Sequence, residues 1–88
     1  MFDWKKPTVQ LLGRWQPWHS GHTALFERAL EEYGQVVIQV RDMPKDNDNP
    51  FSYEEVWHKI RDSLVAAGHP YTEKYIIMRV PNIKDISY

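Results

Sequence analysis

His19 and His22, three residues apart with Gly21 between them, are the side chains of this sequence best suited to chemistry. Arg14 lies shortly upstream in the run Gly13-Arg14-Trp15-Gln16-Pro17-Trp18-His19-Ser20-Gly21-His22. Two imidazole donors aimed at one point suit a phosphorus centre that gains charge in a transition state. The arginine adds a planar fork of donors that matches phosphate oxygens. Gly21 has no side chain, so the backbone can come close to a bound group. Other chemistries fit less well. A zinc site lacks cysteine and lacks a third ligand at suitable spacing. Ser20 is better explained as a helix cap than as a nucleophile. No Walker-type glycine-lysine loop occurs.

The elements that must position these residues are legible from pattern. Thr8 to Leu12 is short, apolar and partly β-branched behind Pro7, and predicts a strand. A loop from Gly13 leads to a helix over 21–33, with Leu25, Phe26, Ala29, Leu30 and Tyr33 at helical spacing, Ser20 as N-cap and Gly34 after its end. Gln35 to Val40 predicts a second strand. Ser52 and Glu55 form a capping box, and Phe51 and Val56 a hydrophobic staple, at the start of a second helix that runs to about Ala67. Tyr75 to Val80 predicts a third strand. The order β-α-β-α-β implies three parallel strands joined by right-handed crossovers, a Rossmann-like α/β arrangement that is half of a doubly wound fold. Ligands of such sheets bind beyond the carboxyl ends of the strands, where Gly13-Arg14, Arg41-Asp42 and Pro81-Asn82 lie. An arrangement that places a strand end before a helix start also aims backbone N–H groups and the positive end of the helix dipole at an anion.

Bulk properties narrow the partners. Eighty-eight residues make one small domain, 1–88, with a single modest core. A net charge of -1 argues against non-specific binding to nucleic acid or to anionic membrane. No apolar run approaches the roughly 20 residues of a membrane span, and Met1 to Lys6 lacks the apolar stretch of a signal peptide. With no cysteine in the chain, the cytoplasm is the expected compartment.

In this context the run Gly13 to His22 resembles the G-R-[FW]-Q-P-x-H-x-G-H loop of the HIGH-type nucleotidyltransferases, in their nicotinamide-mononucleotide adenylyltransferase-like and cytidylyltransferase-like branch. Asn49-Pro50-Phe51-Ser52 resembles that branch's N-P-F-[ST] segment, and Val80-Pro81-Asn82-Ile83 its V-P-D-I after the third strand. The resemblance implies transfer of AMP or CMP from a nucleoside triphosphate to a phosphorylated small-molecule acceptor, with release of pyrophosphate. It implies catalytic roles for His19, His22 and Arg14 on triphosphate oxygens, and a nucleotide cradle that also includes Gly13, Trp15 and Gly21. Mg2+ would come with the triphosphate, held mainly by substrate and water, with no metal site of the protein's own. Arg41, Asp42, Asn49, Phe51 and Ser52 fall on the acceptor side, although a cap and a staple account equally well for Ser52 and Phe51. Trp15 and Trp18 either stack on a base or pack beneath the loop.

The chain departs from the family's pattern in length. The family's second signature, I-S-x-T-x-x-R, has no counterpart, and Ile86-Ser87-Tyr88 is incomplete. The sequence therefore reads as an N-terminal portion, truncated or minimal. Family strands that lie beyond the first are missing, so Thr8 to Leu12 is expected to be an apolar edge, covered by another copy in a homo-oligomer. The alternative to an enzyme is a non-catalytic nucleotide- or phosphate-binding remnant or an interaction module.

Overall fold

The computed structural model describes residues 2–42 and 50–80. Its elements are β1 (Val9–Gly13), α1 (Ser20–Tyr33), β2 (Val36–Arg41), α2 (Tyr53–Ala66) and β3 (Tyr75–Val80). All strand pairs are parallel and the order is β1-β2-β3, which puts β2 in the middle. Val9 stands opposite Val36, and Ile38 opposite both Leu11 and Ile77. This is the half Rossmann-like sheet that the alternation of elements predicts, with β1 and β2 each displaced by one residue. Arg41 consequently belongs to the end of β2 rather than to the loop after it.

β2 is the most buried strand, as a central parallel strand should be: Val36, Val37, Ile38 and Val40 are all at most 1% exposed, although Gln39 and Arg41 share a face with Val37. Period two sends Val36, Ile38 and Val40 to the side where Phe26 and Ala29 of α1 and Val56, Ile60 and Leu64 of α2 complete one core with Tyr75 and Ile77. Both helices thus pack on the same face of the sheet. In α1 the buried stripe is narrower than the periodicity suggests: Leu25 and Tyr33 are about half exposed. α1 packs against β1 and β2, so residues at the margins of its apolar arc have nothing beneath them.

The helix ends follow local chemistry. α2 is capped by Ser52, whose Oγ accepts from the Glu55 N–H while Glu55 Oε1 accepts from the Ser52 N–H, each at 3.2 Å. α1 ends at Gly34, whose φ of 85° is a left-handed conformation that costs glycine little. At the opposite end of the sheet from the histidine loop, the Gln35 carboxamide pairs with both backbone groups of Asp3, at 2.6 and 2.8 Å.

Candidate active site

β1 ends at Gly13 and the chain enters a loop that is fixed by its tryptophans. Trp15 has φ of 52°, a left-handed conformation unusual for a bulky residue. Its indole compensates by being 92% buried and by donating Nε1–H to the Gln39 carbonyl at 3.1 Å. The ring lies over Gly13, where a Cβ would meet its Cε2 at 2.9 Å. Gly13 is therefore required by the indole, a packing reason that the sequence motif does not reveal. The Gln16–Pro17 bond is cis. Trp18 is 2% exposed and donates Nε1–H to Thr23 Oγ1 at 2.8 Å. Both tryptophans pack beneath the loop, and Trp15 also lines the cavity above it.

The cap of α1 is His19, and Ser20 is its first helical residue. His19 Nδ1 accepts from the Gly21 N–H, and His22 Nδ1 accepts from the His19 N–H, both at 3.1 Å. Ser20 was the expected cap because its hydroxyl is the commoner acceptor at that position; here an imidazole nitrogen takes the role. The consequence is chemical. A backbone N–H can only donate, so each Nδ1 presents a lone pair and each neutral ring carries its proton on Nε2. Both rings therefore keep an outward-facing donor. They are stacked, with centroids 3.7 Å apart and planes 23° from parallel. His22 also abuts the Trp15 and Trp18 rings at 4.9 and 5.4 Å. Gly21 is needed because the His19 ring folds back over it: a Cβ there would meet His19 Cε1 at 2.9 Å.

Burial, and then the neighbouring His19, push the His22 pKa below its ordinary 6.5. A histidine with a lowered folded-state pKa contributes stability above its unfolded value, and that contribution is lost as pH falls through the folded value. The melting temperature is expected to drop on acidification below about 6.5. In His22→Gln, which keeps an acceptor for the cap but does not titrate, the drop should be shallower. Parallel melting curves for the two proteins between pH 7.5 and 5 (on the order of two units about the ordinary histidine value) would refute this.

Gly13, Arg14, Trp15, Gln16, Pro17, His19 and His22 line one open cavity of about 290 Å³ at the carboxyl end of β1. Arg14 makes no hydrogen bond or ion pair among the described residues, so its guanidinium is available to a ligand. The structure thus gathers the residues expected on the phosphate side around one space, with Gly21 in the first turn of α1. It does not bring the remaining described candidates to the same cavity. Phe51 lines a neighbouring cavity of about 340 Å³ with Trp15, Pro17, Trp18, Glu55, Val56 and Lys59. Ser52 is engaged in the α2 cap. Asp42 accepts from Arg79 Nε at 2.9 Å and Nη2 at 2.5 Å, and Arg79 lies 5.2 Å over the Tyr53 ring. Asp42 is thereby tied to β3, and Arg41 is buried. Asn49 and the Pro81-Asn82-Ile83 block lie outside the described residues. Among the described residues no cluster of three or more His, Asp or Glu could hold a metal ion, and no helix is long and apolar enough to cross a membrane.

The cytidylyltransferase-like family model matches residues 11–80, a span that includes the loop, both helices and all of β2 and β3. The chain belongs to this family. The cytidylyltransferase-like chain is 34% identical over 80 residues to a nicotinamide-nucleotide adenylyltransferase of Methanococcus aeolicus, a match covering 89% of the chain and 42% of that protein. It is also 34% identical over 67 residues to one of Saccharolobus solfataricus, covering 74% and 39% respectively. The chain thus spans about two-fifths of the length of these curated relatives. Among solved structures, a bifunctional NMN adenylyltransferase/ADP ribose pyrophosphatase from Francisella tularensis superposes with a TM-score of 0.80 at 26% identity, over 88% of this chain and 23% of the other. A structure of such a bifunctional enzyme complexed with AMP and a manganese ion shares the fold, with a TM-score of 0.70 at 22% identity.

Proposed function

We propose that this chain is the phosphate-binding part of a nucleotidyltransferase that moves AMP or CMP from a nucleoside triphosphate to a phosphorylated acceptor and releases pyrophosphate. The observation that carries this reading is the pair of Nε2–H donors, fixed by their Nδ1 caps beside an unengaged Arg14 at the start of α1. Such an array suits the oxygens of a triphosphate before transfer and the charge that builds on them during it. Attack in line at the α-phosphorus needs positioning and charge stabilisation from the protein rather than a covalent intermediate. The donors at this cavity complement anions, so magnesium would arrive with the triphosphate and be held by its oxygens and water. The relatives' names favour ATP as donor and nicotinamide mononucleotide as acceptor.

Calorimetry with ATP and with CTP, each with magnesium, followed by a pyrophosphate assay with nicotinamide mononucleotide, tests the reading. Binding with release supports the enzyme, and binding without release supports a nucleotide-binding remnant. No binding of either triphosphate would overturn both. Gly21→Ala sharpens the test. The methyl would push the His19 ring off the Gly21 N–H, losing a cap worth about 1 kcal/mol. Alanine gains a similar amount over glycine in helix propensity. Thermal stability is therefore expected to change little, while triphosphate affinity falls several-fold because His19 is displaced.

The reading extends to assembly. Among the described residues β1 has a neighbour on one side only, and a groove of about 350 Å³ runs along it, lined by Gln10, Leu11, Leu12, Trp15, His22 and Leu25. A homo-oligomer joined through this edge would cover both the groove and one side of His22. Light scattering that finds a stable monomer at high concentration would refute it.

A further inference from the structure

The Gln16 side chain ties the histidine loop to the backbone of Phe51, just ahead of the α2 cap. Its Nε2–H donates to the Phe51 carbonyl at 3.0 Å, and its Oε1 accepts from the Phe51 N–H at 2.9 Å. The two bonds read the amide orientation without ambiguity, because a backbone N–H must face the oxygen. They close a contact between residues 35 apart in sequence. The partly buried backbone of Phe51 would otherwise be left without those partners, at a cost for each buried group left unmade.

The position of this contact is what gives it meaning. Gln16 lines the cavity that holds Arg14, His19 and His22, whereas Phe51 lines the adjoining apolar cavity. Trp15 and Pro17, on either side of Gln16, line both. The carboxamide is thus a strut across the wall between two spaces. Phe51 precedes the Ser52 cap, so fixing its backbone also fixes where α2 begins. Both ends of the amide are engaged by Phe51.

We propose that Gln16 is a positioning residue, which sets the separation between the triphosphate cavity and an acceptor cavity lined by Phe51. This rests on the nucleotidyltransferase reading above. In-line transfer needs the acceptor oxygen within about 3–3.5 Å of the phosphorus, and a displacement of about 1 Å is enough to cost on the order of a hundredfold in rate. A two-point amide clamp resists such displacement in a way that one bond or a packing contact does not.

The test uses the whole chain, with Gln16→Met to remove both bonds at nearly constant volume. Gln16→Asn, one methylene shorter and still polar, serves where the methionine variant does not fold. Three quantities are measured: amide hydrogen exchange at Phe51, affinity for magnesium and a non-hydrolysable ATP analogue, and affinity for nicotinamide mononucleotide in the presence of that analogue. The expected result is Phe51 exchange faster by at least about tenfold, in keeping with loss of a bond worth about 1.4 kcal/mol. Analogue affinity stays within about twofold, and mononucleotide affinity falls by about tenfold or more. Unchanged Phe51 exchange overturns the proposal, and so does an equal loss of both affinities, which would make Gln16 a phosphate ligand. An unaltered chain that binds the analogue but not the mononucleotide also overturns it while sparing the triphosphate site. An unaltered chain that binds neither overturns the nucleotidyltransferase reading itself.

Discussion

Replacing Arg14 with alanine is expected to weaken magnesium–ATP binding about tenfold to a hundredfold, with the melting temperature nearly unchanged. The magnitude is that of one hydrogen-bonded contact to a charged group, about 1.5–3 kcal/mol. The unchanged stability follows because the Arg14 side chain has no internal partner among the described residues. Arg14→Lys should recover only part of the loss, since an ammonium supplies charge without the planar fork. His22→Ala forms the contrast. It removes an outward donor and also the acceptor for the His19 N–H, so affinity and melting temperature should fall together. Calorimetry paired with thermal melts separates the two patterns. An Arg14→Ala protein that binds ATP as tightly as the unaltered chain would remove the arginine from the site.

The second large effect concerns the core. Ile60 is fully buried in the middle of α2, within the cluster that joins α2 to β2 and β3. Truncating it to alanine should cost about 2–5 kcal/mol, from lost transfer energy and from the cavity left behind. A small domain has a total stability of about 5–15 kcal/mol, and this one, with 88 residues, buries only roughly two-thirds or less of its unfolded surface, which places it toward the low end. Much of the protein should therefore be unfolded at 37 °C. Urea denaturation gives the number directly, and a loss below about 1 kcal/mol would mean that the core relaxes around the gap.

What was legible in the sequence follows from the range of each interaction. The α2 cap is written in Ser52 and Glu55, which are in contact with each other, and both of its hydrogen bonds form as expected. The alternation of elements is also local in pattern, and it yields the parallel sheet. The α1 cap lies one residue before the serine that the sequence offers, because an imidazole nitrogen of His19 does the work that a serine hydroxyl usually does. Leu25 and Tyr33 match the apolar period of α1 but lie at the margins of what β1 and β2 can cover. Gln16 and Phe51 both fall in the motif blocks, but nothing in the sequence pairs them. A glutamine in a loop carries no periodicity, and its partner is brought near only by the sheet. The same holds for Gly13, whose neighbour in space is an indole folded back by an unusual backbone turn.

The double use of the histidines affects how the motif should be read in a lineage. Each imidazole holds the start of α1 with one nitrogen, which leaves the other outside the cap. Selection for a folded chain alone would preserve both, so a copy that had stopped turning over substrate would still display them. Arg14 is different, because it holds nothing else in place. On the proposed reading drift would erase it first in such a copy, so position 14 discriminates a working phosphate site from a relic better than the histidines do.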